Sequence, residues 1–188
     1  MTKSAAWHLD DGGLLSAAVY VPSPNFDDRP DGTVVDLLVV HNISLPPGQF
    51  GGPGIIELFT NRLDPNAHPY YRRIADATVS SHFLIRRDGD LIQFVPCNRR
   101  AWHAGQSEWR GRSRCNDFSI GVELEGADDH AFTDSQYAML ARLTDALLSD
   151  YPIRDCVGHS DIATPPGRKT DPGPFFDWAR FRASLEER

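Results

Sequence analysis

The chain has 188 residues, of which 40% are hydrophobic and 24% charged, a balance typical of one globular domain with a substantial core. Its formal net charge of −7 argues against a general binder of nucleic acid or anionic membranes, because such proteins need a basic surface. A local group of arginines could still bind a small anionic substrate.

The N-terminal sequence MTKSAAWHLDDGGLL lacks the basic start and the apolar core of a secretory signal. No apolar run is long enough to span a bilayer. Cys97, Cys115 and Cys156 are widely spaced and form no CxxC pair, which favours free thiols. We therefore expect a cytoplasmic protein.

The first segment, residues 1–33, includes the turn-rich stretch PSPNFDDRPDG and is expected to wrap the surface. VVDLLVVH (34–41) is a continuous apolar run, which predicts a central strand buried on both faces. Two polar residues, His41 and Asn42, lie at the end of that strand. The sequence that follows predicts a loop over 44–54, a short helix over 55–63 and an irregular stretch over 64–73.

A β-hairpin is predicted over residues 80–95, SSHFLIRRDGDLIQFV, with its turn at Asp88-Gly89. The segment 97–116 is rich in Arg, Trp and Gly and predicts an extended loop, and FSIGVELEG (118–126) predicts another strand. The last part of the chain predicts a helix over 133–149 that ends before Pro152, a short strand over 156–158 and an amphipathic helix over 177–188.

The helix that follows Phe132 has the clearest start. Thr133 and Gln136 form a T-x-x-Q capping box, and apolar residues recur behind them at helical spacing. Strands and helices thus interleave along the chain, without a repeat or a long linker. This order predicts an α/β fold, with a central mixed β-sheet flanked by helices in a single domain.

Two histidines stand at the ends of predicted strands, His41 and His159, and Asp171 follows His159 after a loop rich in Pro and Gly. Catalytic zinc sites take three protein ligands of these types and leave one position for water. Spacing alone leaves alternatives open, since a histidine is more often a surface or hydrogen-bonded residue than a ligand. Asp161 and Cys156 also lie near His159 in the sequence.

Four blocks of the sequence resemble the zinc N-acetylmuramoyl-L-alanine amidases. They are HNIS (41–44), WHAG (102–105), CNDFSIGVELEG (115–126) and GHSDIATPPGRKTDPG (158–173). The resemblance is strongest to the cytoplasmic amidases of peptidoglycan recycling. It implies a peptidoglycan-recognition-protein-like fold, a single zinc amidase domain over residues 1–188 and a matching core over residues 34–182.

The resemblance also implies an activity and its residues. The expected reaction is hydrolysis of the amide bond between N-acetylmuramic acid, preferably in its 1,6-anhydro form, and L-alanine. His41, His159 and Asp171 would hold Zn²⁺. Glu123 would transfer protons, and Lys169 would stabilise the oxyanion of the transition state.

The residue patterns alone leave two of these roles open. Glu125 lies two residues after Glu123 and faces the same side of the strand, so it competes for the proton-transfer role. Apolar neighbours on that strand should raise the pKa of Glu123 and suit it to this task. Without the motif around it, Lys169 would be interpreted as a solvated loop lysine.

Substrate contacts are expected from two sources. Asn42, Tyr70 and Arg114 match positions that the family uses near the substrate. Trp102 and Arg114 also belong to NRRAWHAGQSEWRGRSR (98–114), where guanidinium groups could bind peptide carboxylates and aromatic faces could contact a sugar. The expected partner is a small-molecule anhydro-muropeptide, with no nucleic acid, membrane or obligate protein partner.

Two further histidines have open roles. His103 is expected to be a hydrogen-bonded core residue rather than a substrate contact, and His82 could point into the cleft. The sequence departs from the family pattern at Thr78, where some relatives place an arginine. It departs again between His159 and Arg168, where the loop is two residues longer.

Two other functions remain alternatives to a recycling amidase. One is a non-catalytic peptidoglycan-binding module on the same fold, although such a module has no need of a complete ligand set with Glu123 and Lys169. The other is a wall-lysing amidase that acts on intact peptidoglycan.

Overall fold

The computed structural model describes residues 7–186. The strands of that part of the chain are β1 (Val19–Tyr20), β2 (Phe26–Asp27), β3 (Leu37–Ile43), β4 (Phe83–Ile85), β5 (Leu91–Gln93), β6 (Arg100–Ala101), β7 (Glu108–Trp109), β8 (Arg112–Ser113), β9 (Ser119–Glu125) and β10 (Asp155–Gly158). The α-helices are α1 (Gly54–Phe59), α2 (Asp134–Asp150), α3 (His159–Ile162) and α4 (Trp178–Glu186), and 3₁₀ turns lie at Tyr71–Arg73 and Cys115–Asp117.

Six strands form one mixed sheet in the order β1-β5-β4-β9-β3-β10. The hairpin of β4 and β5 is antiparallel, as predicted, and every other neighbouring pair in this sheet is parallel. The predicted α/β fold with a central mixed sheet is therefore confirmed. Parallel pairing also aligns the carboxyl ends of β3, β4, β9 and β10 at one edge of the sheet.

Strand β3 lies inside the sheet because its side chains are apolar on both faces. Leu37, Leu38, Val39 and Val40 are fully buried, as expected for a strand covered on both sides. The strand continues two residues beyond His41, to Ile43, so its polar end is still paired with β9. This pairing fixes the imidazole of His41 in direction as well as in position.

Helix α2 begins where the capping box predicts. Thr133 Oγ1 accepts from the amide of Gln136 at 3.1 Å, and Gln136 Oε1 accepts from the amide of Thr133 at 3.1 Å. The helix buries Leu140, Leu143 and Leu147 against the sheet. It ends at Asp150, just before Pro152, which cannot continue it.

Two other predicted helices differ in length. Helix α1 ends at Phe59, not at residue 63, and Asn61 adopts a left-handed φ of 57° just beyond it. Helix α4 covers the predicted C-terminal helix as far as Glu186, and residues 187–188 lie outside the described part of the chain. None of the helices within residues 7–186 is both long and apolar enough to cross a lipid bilayer.

The prediction of an extended loop over residues 97–116 was wrong in part. Strand β6 pairs with β2, and β7 and β8 form a small antiparallel hairpin. The hairpin turn contains Arg110 and Gly111 at φ values of 50° and 77°. Its strands have two residues each, too few for an apolar alternation to reveal them in the sequence.

Candidate metal centre and active site

Three parallel strands bring the predicted site together at the carboxyl edge of the sheet. Val40 on β3 pairs with Gly158, the last residue of β10, so the residues that follow them, His41 on β3 and His159 at the start of α3, are neighbours. His41 itself pairs with Glu123 on β9. The register of the sheet therefore places two imidazoles and one carboxyl group side by side.

The predicted metal ligands converge on one point. Nδ1 of His41 lies 3.0 Å from Nδ1 of His159, and both nitrogens lie 3.1 Å from Oδ2 of Asp171. In a tetrahedral zinc site with ligand bonds of about 2.0 Å, the ligand atoms are about 3.3 Å apart. These residues are the His/Asp group within residues 7–186 that could hold a metal ion.

The hydrogen bonds of the two imidazoles also fit a cation. Nε2 of His159 donates to the carbonyl oxygen of Ala104 at 3.0 Å, so in the neutral ring Nδ1 keeps its lone pair. Nε2 of His41 contacts Nδ1 of His103 at 2.9 Å on the side away from Asp171. Two bare nitrogens and a carboxylate oxygen then face one another, an arrangement that a divalent cation would stabilise.

The surroundings of His41 and Asp171 favour the ligand forms of both side chains. His41 is 1% exposed, and burial lowers its pKa to about 4, so the ring is neutral at pH 7. Burial raises the pKa of Asp171, but the neighbouring His159 and His41 rings lower it more strongly. The carboxyl group therefore stays ionised, as a metal ligand must be.

The alternative ligands near His159 have other roles. Oδ2 of Asp161 accepts from the amide of Gly158 at 2.7 Å, which caps the start of α3. Cys156 lies on the edge strand β10, where it pairs with Leu38, and it packs against the hydrophobic core. Neither side chain belongs to the cluster around His41.

Glu123 and Glu125 point to the same side of β9 but differ in their partners. Glu125 is 1% exposed and binds Nη1 of Arg86 at 2.9 Å and the amide of Gly51 at 2.7 Å. Oε2 of Glu123 is buried and has no hydrogen-bond partner within the described residues. The carboxylate of Glu125 is thus occupied by Arg86 and Gly51, whereas Glu123 has one carboxyl oxygen without a hydrogen-bond partner within the described residues.

The pKa of Glu123 is raised well above its ordinary value. Burial is the main cause, the negative charge of Asp171 adds to it, and the positive charge of Lys169 opposes it. A raised pKa makes the carboxyl group hold a proton more readily than an ordinary carboxylate, which suits a group that must accept a proton and later release it. The raised pKa that the apolar neighbours of Glu123 predict is therefore present in the structure.

A cleft of about 380 Å³ opens above these residues. Of the nine predicted site residues, eight line it: His41, Asn42, Tyr70, Trp102, Glu123, His159, Lys169 and Asp171. An adjoining cavity of about 290 Å³ contains Thr78, together with Trp102, His159 and Lys169. Arg114 does not line the cleft, and its Nε pairs with Asp117 at 3.3 Å instead.

Lys169 and Asn42 influence the group of predicted metal ligands in different ways. Lys169 is exposed at the rim of the cleft and forms no ion pair within residues 7–186, although its charge acts on both His41 and Glu123. Nδ2 of Asn42 donates to Oδ1 of Asp128 at 2.7 Å and to the carbonyl of Pro172 at 3.0 Å. Asn42 thereby ties β3 to the segment that carries Asp171.

The sequence did not assign two supporting residues, and it left His82 open. Oδ1 of Asn116 accepts from the amides of His103 and Ala104, and Nη2 of Arg168 donates to the carbonyl of Ala104 at 3.1 Å. His82 is fully buried, bonded to Gly121 and Arg99, and absent from the cleft wall. His103 is a buried, hydrogen-bonded histidine, as expected, but it also reaches the edge of the cleft.

Comparison with known proteins places this geometry in context. A family model described as N-acetylmuramoyl-L-alanine amidase matches residues 31–174. The chain is 61% identical over 177 residues to the 1,6-anhydro-N-acetylmuramyl-L-alanine amidase AmpD of Citrobacter freundii, covering 93% of this chain and 94% of the relative.

Solved structures show the same similarity. The crystal structure of a Se-Met AmpD derivative superposes with a TM-score of 0.90 at 61% identity, covering 94% of this chain and 99% of the other. The amidase AmiD from E. coli, in complex with the substrate anhydro-N-acetylmuramic acid-L-Ala-D-gamma-Glu-L-Lys, gives a TM-score of 0.59 at 26% identity, covering 96% of this chain and 66% of that one.

Proposed function

The chain belongs to the N-acetylmuramoyl-L-alanine amidase family, and on that basis we propose that it hydrolyses the bond between N-acetylmuramic acid and L-alanine with a zinc ion held by His41, His159 and Asp171. It is an amide hydrolase of peptidoglycan recycling, and its substrates are small muropeptides. The 1,6-anhydro form is the preferred sugar, in line with the names of its relatives at about 60% identity.

One observation carries this function more than any other. Three ligand atoms meet at 3.0–3.1 Å beside a buried carboxyl oxygen that has no partner of its own. A module that only binds peptidoglycan gains nothing from an unpartnered carboxyl group, because burying one is costly. An amidase needs that group to transfer protons.

The chemistry divides between the cofactor and the chain. Bound zinc supplies Lewis acidity, which polarises a carbonyl group and lowers the pKa of water from 15.7 to about 7. Oε2 of Glu123 accepts the proton of the attacking water and later delivers it to the departing nitrogen of L-alanine. Its raised pKa suits both transfers.

Lys169 and the cleft walls complete the arrangement. The ammonium group of Lys169 stabilises the negative charge that develops on the lactyl carbonyl oxygen. Leu45, Phe59 and Val79 add apolar surface to the lining of the cleft. Tyr70 and Trp102 offer aromatic surface to the sugar or the peptide.

We also propose a cytoplasmic location. Recycling acts on wall fragments after their import, so the enzyme must meet them inside the cell. Cys97, Cys115 and Cys156 are all free thiols, which is the usual state of cysteine in a reducing compartment. Burial raises the pKa of Cys97 and Cys156, which keeps both in the unreactive thiol form.

Products formed from defined muropeptides test the proposed function. Incubation with an anhydro-muropeptide should give the free anhydro sugar and the intact stem peptide by mass spectrometry, and the reducing-sugar form should react more slowly. A strong chelator should abolish the reaction, and added Zn²⁺ should restore it.

Each rival function has its own outcome in that experiment. Binding without any product would identify a recognition module. Faster cleavage of intact peptidoglycan than of the anhydro fragment would identify a wall-lysing amidase. Undiminished cleavage after complete removal of metal would contradict the zinc mechanism.

Lys169→Ala should lower kcat by about 10²–10³, the usual cost of removing one group that stabilises an oxyanion. Zinc content should not change, because Lys169 is no ligand. Lys169→Arg is the matched control and should recover part of the rate, since it keeps the charge. An unchanged kcat in the alanine variant would return Lys169 to the role of a solvated loop residue.

A further inference from the structure

His103 lies directly behind the predicted ligand His41. Its Nδ1 is 2.9 Å from Nε2 of His41, and the two rings are perpendicular with centroids 5.0 Å apart. Its Nε2 is 3.2 Å from Oγ of Ser119. Oγ of Ser119 is in turn 2.6 Å from the carbonyl oxygen of Cys115. Four groups therefore form one continuous chain of hydrogen bonds.

The donor and acceptor of each of these hydrogen bonds follow from the last group, the carbonyl oxygen of Cys115. A carbonyl oxygen only accepts, so the single hydroxyl proton of Ser119 is donated to Cys115. Oγ of Ser119 must then accept from Nε2 of His103, which leaves the lone pair of a neutral His103 on Nδ1. That lone pair accepts from Nε2 of His41.

This direction of the hydrogen bonds determines which nitrogen of the predicted ligand His41 carries the proton. A neutral His41 that donates through Nε2 has its own lone pair on Nδ1, the nitrogen that faces His159 and Asp171. Without an acceptor behind it, the His41 ring could carry its proton on Nδ1 and lose its ligand form. The backbone carbonyl of Cys115 thus determines the tautomer of a ligand three hydrogen bonds away.

The position of His103 is itself fixed from two sides. Oδ1 of Asn116 accepts from the amides of His103 at 3.1 Å and Ala104 at 2.8 Å. A Cβ atom on Gly121 would lie only 2.5 Å from Cγ of His103, so the absence of a side chain there gives the ring its place. The carbonyl of Ala104 holds Nε2 of His159, so one short segment supports both histidine ligands.

We propose that His103 is a positioning residue that orients His41 and fixes its metal-binding tautomer, with Ser119 and Asn116 as the groups that direct it. This inference rests on the proposed zinc site. It goes beyond that function because it assigns a role to a residue that contacts a ligand and not the ion. Removing such a partner typically weakens metal binding by about 10–100-fold.

Two substitutions of similar shape separate the hydrogen bond from the packing. His103→Asn keeps an acceptor, Oδ1, close to the place of the ring Nδ1, whereas His103→Leu fills similar space without one. Zinc affinity is measured by competition with a chromophoric chelator. The leucine variant should bind zinc about 10–100-fold more weakly, and the asparagine variant should remain close to the wild type.

Two spectroscopic measurements report on the ring itself. Histidine ¹⁵N shifts in the metal-free protein should show His41 protonated on Nε2 in the wild type and in His103→Asn, and a mixture of tautomers in His103→Leu. The visible spectrum of the Co²⁺-substituted protein should change only in the leucine variant. If His103→Leu fails to fold, Ser119→Ala, which removes the acceptor of His103 together with the donor to the Cys115 carbonyl, should shift the same tautomer equilibrium.

The possible results separate a failure of the positioning role of His103 from a failure of the proposed zinc site. A wild-type protein that binds no zinc would refute the proposed metal centre. Zinc binding with equal affinity in wild type, His103→Asn and His103→Leu, and one unchanged His41 tautomer, would refute the positioning role alone. Equal weakening in both substitutions would assign His103 to packing and would also refute it.

Discussion

Glu123→Gln should lower kcat by about 10²–10⁴, the range that a positioned general acid–base contributes, while zinc remains bound. The amide has nearly the shape of the carboxyl group but cannot take up the proton of the attacking water. Because Glu123 is no metal ligand, zinc content by atomic absorption should equal that of the wild type. Steady-state turnover of an anhydro-muropeptide is the measurement.

Glu125→Gln is the matched control for this experiment. It makes the same chemical change two residues away on the same face of β9, but it weakens the ion pair with Arg86. Breaking a buried, hydrogen-bonded ion pair is destabilising, so this variant should unfold at a lower temperature and still turn over substrate. A fully active Glu123→Gln with an inactive Glu125→Gln would transfer the proton-transfer role to Glu125.

Asp171→Ala should abolish both zinc binding and amide hydrolysis. The substitution removes the carboxylate of the cluster, and the two remaining imidazoles leave a site with fewer protein ligands than catalytic zinc requires. Zinc content after dialysis, measured beside the rate of product formation, checks both effects. Retention of stoichiometric zinc would show that another residue completes the site.

Asp161→Asn provides the comparison for Asp171→Ala. Asp161 lies ten residues before Asp171, within α3, and caps that helix by accepting from the amide of Gly158. Its amide counterpart still has an oxygen that can accept that bond, so zinc content and turnover should both be preserved. Loss of zinc in this variant would make Asp161 the third ligand.

The sheet and its strongest helix could be predicted because their signals are local. The apolar run of β3, the Asp88-Gly89 turn and the capping box at Thr133 each determine structure within a few residues. The family resemblance is also confirmed, since the matching blocks extend over nearly the whole chain. Conversely, β7 and β8 are too short for any pattern to mark them.

The parts of the site that could not be predicted depend on distant contacts. The strand pattern alone does not separate Glu123 from Glu125, whereas in the structure Glu125 is bound by Arg86 and by the amide of Gly51. The hydrogen bond between His103 and His41 joins residues 62 positions apart, so no local sequence pattern predicts it. Arg114 was predicted from its charge and its motif, but a left-handed φ of 62° and the pairing with Asp117 direct it elsewhere.

The register of the sheet determines where this chain tolerates changes in length. An inserted or deleted residue within β3 or β9 would turn the following side chains to the opposite face, and His41 or Glu123 would leave the cluster. The loop before Asp171 differs, because the amide of Ser160 donates to the carbonyl of Asp171 at 2.9 Å and closes it at its base. Relatives should therefore gain and lose residues inside that closed loop and keep the strands at constant length.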